Sequence, residues 1–175
     1  LDKSKYTFKE NKAKINELPL EFDGFIQLVD AGQEYDLKFK TPTSSFKNFL
    51  GLIPAQYSSN LKDVKTEGDF TVAGFAKGLF SDTTVPKFNI AIASNNASFQ
   101  YNNMPKSVQN IVIDTKIINE TGLMNDTYVN LDKLSFKIDQ DVFNAKANIK
   151  NIAENAIVNA KLNGTINLAN LSKAY

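Results

Sequence analysis

Apolar and polar residues alternate along most of this chain. From Leu18 to Leu28 the even positions are apolar or glycine: Leu18, Leu20, Phe22, Gly24, Ile26 and Leu28. Most odd positions between them are polar. A period of two marks a β-strand with one dry face, because successive side chains point to opposite sides. Tyr35, Leu37 and Phe39 alternate with Asp36, Lys38 and Lys40, and Phe88, Ile90 and Ile92 follow the same rule. So do Leu134, Phe136 and Ile138 against Ser135, Lys137 and Asp139. Phe143, Ala145, Ala147 and Ile149 alternate with Asn144, Lys146, Asn148 and Lys150. A last strand is expected from Ala156 to Leu168, with Val158, Ala160, Leu162, Gly164 and Ile166 on one side and Asn159, Lys161, Asn163 and Asn167 on the other.

The polar partners are mostly Lys and Asn, which suits a solvent-facing surface. Clean alternation favours antiparallel pairing over a parallel sheet buried on both faces. Asp30-Ala31-Gly32-Gln33, Ser94-Asn95-Asn96 and Asn119-Glu120-Thr121-Gly122 have the composition of hairpin turns. The expected fold is mainly β, a curved antiparallel sheet of about eight to ten strands. It would be a meander or open groove, or alternatively a sandwich, with one or two short helices at the end.

One segment breaks the alternation. In Thr43 to Pro54, the side chains of Phe46, Phe49, Leu50 and Ile53 share one helical face, Ser44 or Ser45 is placed to cap it, and Pro54 stops it. This predicts a helix that plugs one end of the sheet; a helix that touches a membrane or a partner is the alternative. Ala55 to Asn60 adds a further turn in this reading, and Leu168 to Tyr175 begins a similar short helix. Gly24-Phe25-Ile26-Gln27-Leu28, Gly68-Asp69-Phe70-Thr71-Val72 and Gly164-Thr165-Ile166-Asn167-Leu168 share a Gly-x-apolar-x-apolar pattern. Glycine inside a strand signals a bulge, a bend or a close backbone approach.

Composition then removes chemistry. The 175 residues contain no Cys, His, Trp or Arg. The usual general base, the thiol nucleophile and most zinc or iron ligands are therefore missing. So is the bidentate fork that grips phosphate or carboxylate. Without Cys no disulfide is possible, so either redox compartment is open to the chain. A net charge of +1 argues against nucleic acid as a partner. With 42% hydrophobic residues the chain can build one domain with a real core. No apolar run reaches the roughly 18 residues of a membrane-spanning helix, and no stretch has the pattern of a signal peptide. Residues 1–175 read as one domain cut from a longer protein, and any anchor would lie outside them.

The carboxylates are scattered. Asp139-Gln140-Asp141 has the look of a calcium-binding pair, but a hairpin turn explains it better, and no EF-hand pattern accompanies it. Glu67 and Asp69 read as solvated charges on one strand face. No metal, cofactor or catalytic residue is expected, and the chain reads as a non-enzyme. What remains is apolar surface. A curled, unclosed sheet would present a trough able to take an acyl chain, worth about 0.8 kcal/mol per buried methylene. The residues expected to line it are Phe22, Ile26, Leu28, Leu37, Phe39, Phe70, Val72, Ile90, Ile92, Leu134, Phe136, Ile138, Val158, Leu162 and Ile166. An ordinary sheet packing on itself or on its helix uses the same pattern.

Several stretches resemble the C-terminal region of AsmA-like proteins from Bacteroidetes-type bacteria. They are Leu18 to Leu28, Tyr35 to Pro42, Phe46 to Pro54, Val64 to Phe70, and Met104 to Ile111 followed by Ile113-Asp114. The likeness runs from about Glu17 to Tyr175 and consists of apolar patterns with Gly and Pro. The resemblance implies a periplasmic protein, anchored in the inner membrane and related to TamB and chorein-type bridge proteins. It implies an apolar β-groove that moves phospholipid or another acyl-chain lipid, or supports outer-membrane assembly. It carries over no catalytic residue. The competing expectation is a structural or protein-interaction domain of the cell envelope with a protein partner and no lipid cargo.

Overall fold

The computed structural model describes residues 4–15, 18–50, 64–102, 105–152 and 154–165. The alternating segments form strands, and all of the strands join one antiparallel sheet of eleven. They are β1 (Lys5–Ile15), β2 (Leu18–Val29), β3 (Gly32–Lys40), β4 (Ser44–Ser45), β5 (Val64–Glu67), β6 (Asp69–Phe80), β7 (Lys87–Tyr101), β8 (Val108–Asn119), β9 (Tyr128–Ile138), β10 (Asp141–Lys150) and β11 (Ile157–Gly164). The main path runs β1-β2-β3-β6-β7-β8-β9-β10-β11, while β4 pairs with β6 and β5 with β7. β1 and β11 do not pair with each other, so the sheet is an open meander and not a barrel. The strand count exceeds the expected range because β4 and β5 are short pieces that periodicity cannot detect.

The turns are where local chemistry is clearest. Asp30 and Ala31 join β2 to β3, and Asp139 and Gln140 join β9 to β10. Asp139 adopts a left-handed φ of 54°, a conformation that Asp tolerates better than most residues. The other two expected turns are corrected. Ser94-Asn95-Asn96 lies inside β7, where the register shifts between Ser94 and Ala97. The Ser94 hydroxyl donates to the Asp69 carbonyl at 2.8 Å, which holds the bulge against β6. Asn119 to Gly122 opens a longer connection that contains a 3-10 turn at Met124–Asp126.

The expected helix is present as α1 (Phe46–Leu50). Its predicted continuation, residues 51–54, lies outside the described residues, as do residues 55–60 and the C-terminal segment 168–175. Ser44 and Ser45 immediately precede it. They form β4, paired with Phe70 and Asp69, and the Phe46 N–H donates to the Gly68 carbonyl at 2.8 Å. This bond satisfies the first N–H of the helix, which has no intrahelical partner. Ser44 Oγ accepts from Asn48 Nδ2 at 3.0 Å.

The Gly-x-apolar repeat is not one backbone motif. Gly24 has φ +125° and Gly68 φ +92°, where a Cβ would run into the carbonyl oxygens of Asp36 and Asn96 respectively. Both positions therefore require glycine. Gly164 has no such φ, and a Cβ there would meet the Phe143 ring.

The core is small and sits at one end of the strands. Leu18, Phe46, Phe70, Val72, Ala97 and Ile111 are buried together, beneath α1. Thr41 is buried beside them and ties β3 to β6: its N–H donates to the Val72 carbonyl at 2.7 Å, and its Oγ1 accepts from the Val72 N–H at 2.8 Å. A compact monomer of this mass exposes about 8,500 Å². This chain exposes 11,738 Å². A sheet left largely as a single layer contributes to that excess.

Candidate functional site

Directly paired residues of neighbouring strands project to the same face of a sheet. The registers can therefore be followed from strand to strand. Phe22 faces Phe39, Phe39 faces Gly74, Gly74 faces Ile90 and Ile90 faces Ile117. Ile117 then faces Val129, Val129 faces Ile149, and Ile149 faces Val158. This row crosses from β2 to β11 without a polar side chain. At about 4.8 Å per strand it is roughly 34 Å long. A second row runs Val72, Ile92, Thr115, Leu131, Ala147 and Ala160. A third runs Ser94, Ile113, Leu134, Ala145 and Leu162.

Phe22, Ile26, Leu28, Leu37, Phe39, Phe70, Val72, Ile90, Ile92, Leu134, Phe136, Ile138, Val158 and Leu162 all fall on this face. Ile166 lies outside the described residues. Within the set, Phe70 and Val72 are dry core under α1. Leu28, Val158 and Leu162 are exposed, the last by 67%. The others are half-buried. Phe136 stacks on Phe143 with ring centroids 5.1 Å apart. Ile149, read from the alternation of β10 but not as a lining residue, shares the face, and so do Phe8, Ile117 and Val129, which were not singled out. Their strands carry bulges or break the alternation near them, so the period of two does not mark them as a set.

Charge is segregated just as strictly. Among paired register positions, Asp141 beside the β9–β10 turn is the one Asp, Glu or Lys on the apolar face. All the others fall on the opposite face. Over β1 to β6 that face mixes signs. Glu21 lies 3.7 Å from both Lys12 and Lys40, and Lys77 Nζ donates to Asp36 Oδ2 at 2.8 Å. The hydrogen bond from Lys77, reinforced by the negative charge of Asp36, raises the Lys77 pKa above its ordinary 10.5. Tyr128 is also raised, from 10.0, by partial desolvation and by the Glu120 carboxylate.

This charged face also carries a depression of about 790 Å³, lined by Glu10, Glu21, Asp23, Lys12, Lys38 and Lys40 with Phe75. It is shallow, with charged side chains around a floor that includes Phe39, Ala73 and Gly74. Among the described residues no three Asp or Glu side chains come together as a metal site. Asp139 lies in the β9–β10 turn and Asp141 begins β10, and Asp139 forms an ion pair with Lys106. Glu67 and Asp69 are not neighbours on one strand: Glu67 ends β5 and Asp69 starts β6, with Gly68 between them.

Thr41, Thr127 and Asn119 are buried polar groups whose places sequence reasoning missed, and Asn119, at the end of β8, is the most buried at 1% exposed. Its Nδ2 donates to the Leu123 carbonyl at 2.7 Å and to Thr127 Oγ1 at 2.9 Å. Its Oδ1 accepts from the Gly122 N–H at 2.7 Å. It organises the β8–β9 connection, and in the sequence it looks like any other turn Asn. Comparison with protein-family models, with curated protein sequences and with solved structures finds no match to this chain.

Proposed function

We propose that this chain is a non-catalytic, periplasmic segment of an AsmA-like envelope protein, and that its apolar sheet face holds the acyl chains of phospholipid during lipid transport or outer-membrane assembly. The observation that carries this reading is the uncharged row from Phe22 to Val158. It is long enough for an extended acyl chain, and no second sheet covers it among the described residues. An apolar face of this extent is costly in water and stabilised by a greasy occupant. Each methylene removed from water there contributes about 0.8 kcal/mol. No polar anchor is required, which suits a chain without Arg or His. The sequence resemblance supports the same family and compartment.

The test is titration of the purified chain with a fluorescent fatty acid, with native mass spectrometry for co-purified phospholipid. Ile90→Asn and Ile117→Asn, in the middle of the row, are expected to weaken fatty-acid binding at least about tenfold. Val142→Asn, an exposed apolar residue on the other face, is expected to leave it unchanged. Circular dichroism checks that each variant is folded. Absence of fatty-acid binding by the parent chain, or equal binding by the mid-row variants, would overturn the reading.

The exposed main chain of β11 favours a second function, a protein-interaction domain of the envelope that adds a partner strand at its edge. Cross-linking to an envelope protein with no lipid bound would put it first.

A further inference from the structure

The solvent face of the last three strands differs from the rest of the sheet. Lys137 on β9, Lys146 and Lys150 on β10 and Lys161 on β11 all lie on it and are exposed. Lys146 and Lys161 are direct cross-strand partners. Like charges placed opposite each other destabilise a sheet. Over β1 to β6 the lysines are offset by Glu21 and Asp36. Here no carboxylate forms an ion pair with any of the four among the described residues. Glu154, in the nearby β10–β11 connection, accepts a hydrogen bond from Asn125 at 3.2 Å instead. Asparagines 144, 148, 159 and 163 fill the positions between the lysines, and Asp132, which lines the same depression as Lys146 and Lys161 beside a further lysine, Lys133, pairs with Lys116 instead.

A second observation lies on the same edge. β11 is exposed along its whole length. Its apolar residues Ile157, Val158 and Leu162 are 61%, 60% and 67% exposed. Ile157 shares the lysine face, whereas Val158 and Leu162 project from the opposite face of the same edge strand, so an edge-on approach brings lysines and aliphatic side chains together at one boundary, the combination that partitions into the headgroups of an anionic bilayer. A soluble polyanion would use the lysines alone and leave the aliphatic edge in water.

We infer that the β10–β11 edge docks on an anionic phospholipid membrane, with Lys146, Lys150 and Lys161 on the headgroups and Ile157, Val158 and Leu162 dipping among them. Val158 and Leu162 also end two rows of the apolar face, so the lysines, which lie on the other face, are the part of this docking that acyl-chain capture does not use. The test is co-sedimentation of the whole 175-residue chain with phosphatidylcholine vesicles, prepared with and without phosphatidylglycerol. Binding is expected only with phosphatidylglycerol and is expected to fall as salt is raised. Each lysine near such a surface is worth about fivefold in partitioning, so K146Q/K150Q/K161Q together are expected to lower it on the order of a hundredfold. V158S/L162S is expected to weaken it as well, while K38Q/K40Q, on the charge-mixed part of the face, leaves it unchanged. Melting curves verify that the variants remain folded, and fatty-acid titration of the lysine variant separates this result from acyl-chain capture. Equal binding to both vesicle types, no binding to either, full retention by the triple-lysine variant, or capture by dextran sulfate without vesicle binding would each overturn the inference.

Discussion

Phe70 and Leu162 belong to the same apolar face and have opposite energetic roles. Phe70 is 2% exposed in the cluster under α1, whereas Leu162 is 67% exposed on β11. Phe70→Ala removes a packed ring and leaves a cavity, and is expected to cost about 3–5 kcal/mol. Leu162→Ala loses little burial and is expected to stay within about 0.5 kcal/mol. Urea denaturation of the two variants checks the contrast, and similar values would show that the dry cluster is not where the structure puts it. Asn119→Ala is expected to destabilise by about 1–3 kcal/mol, because the Gly122 N–H and the Thr127 hydroxyl lose a buried partner. An unchanged urea midpoint would remove Asn119 from its organising role. At this scale the apolar identities in β2, β3, β9 and β10 were legible directly. The place of Asn119 was not, because an asparagine's three hydrogen bonds are made by loop geometry that the local sequence does not display.

The strands and their turns follow from alternation and turn chemistry wherever the pattern is clean. β2 and β3, joined through Asp30-Ala31, are the plainest case. The pattern fails at irregularities. Glu10, with φ 53°, makes a bulge in β1 and donates its N–H to Asp23 Oδ1 at 2.6 Å. Asn110, with φ 51°, lies where the β8 register shifts against both neighbours. Each bulge moves the alternation by one residue, so a periodicity reading changes face midway along the strand. Cross-strand charge also belongs to this scale. The pKa of Lys77 is raised by Asp36 across β3 and β6, so the stabilisation from that pair is fully present below pH 10.5 and is lost as pH rises through the higher folded value. Tyr128, likewise raised, loses its contribution as pH rises past its ordinary 10.0. Stability measured by denaturation is therefore expected to fall above about pH 10, and to fall less steeply in Asp36→Asn. Equal slopes for parent and variant would show that the pair does not contribute.

Across the whole molecule, stability is expected to be graded. The buried residues come from α1 and from the ends of β2, β6, β7 and β8, while β11 is exposed throughout. Amides of β6 to β8 should then exchange only through global opening, and those of β11 through local fraying at much lower cost. Hydrogen exchange followed by mass spectrometry reads this directly, and uniform protection from β1 to β11 would contradict it. A saturating lipid on the apolar face is expected to raise protection most in the outer strands, since a ligand stabilises the state that binds it.

The chain's own pattern determined that it is mainly β, that its strands pair antiparallel, and which side chains of the regular strands share a face. Those properties are local: a period of two and a turn residue are visible within ten positions. Only the tertiary structure decided that the sheet stays open, that its dry core is confined to one end, and that the uncompensated lysines gather beside an exposed aliphatic edge. Those properties depend on register summed over nine successive strands and on bulges that shift it. A single strand's sequence holds only its own share of that sum.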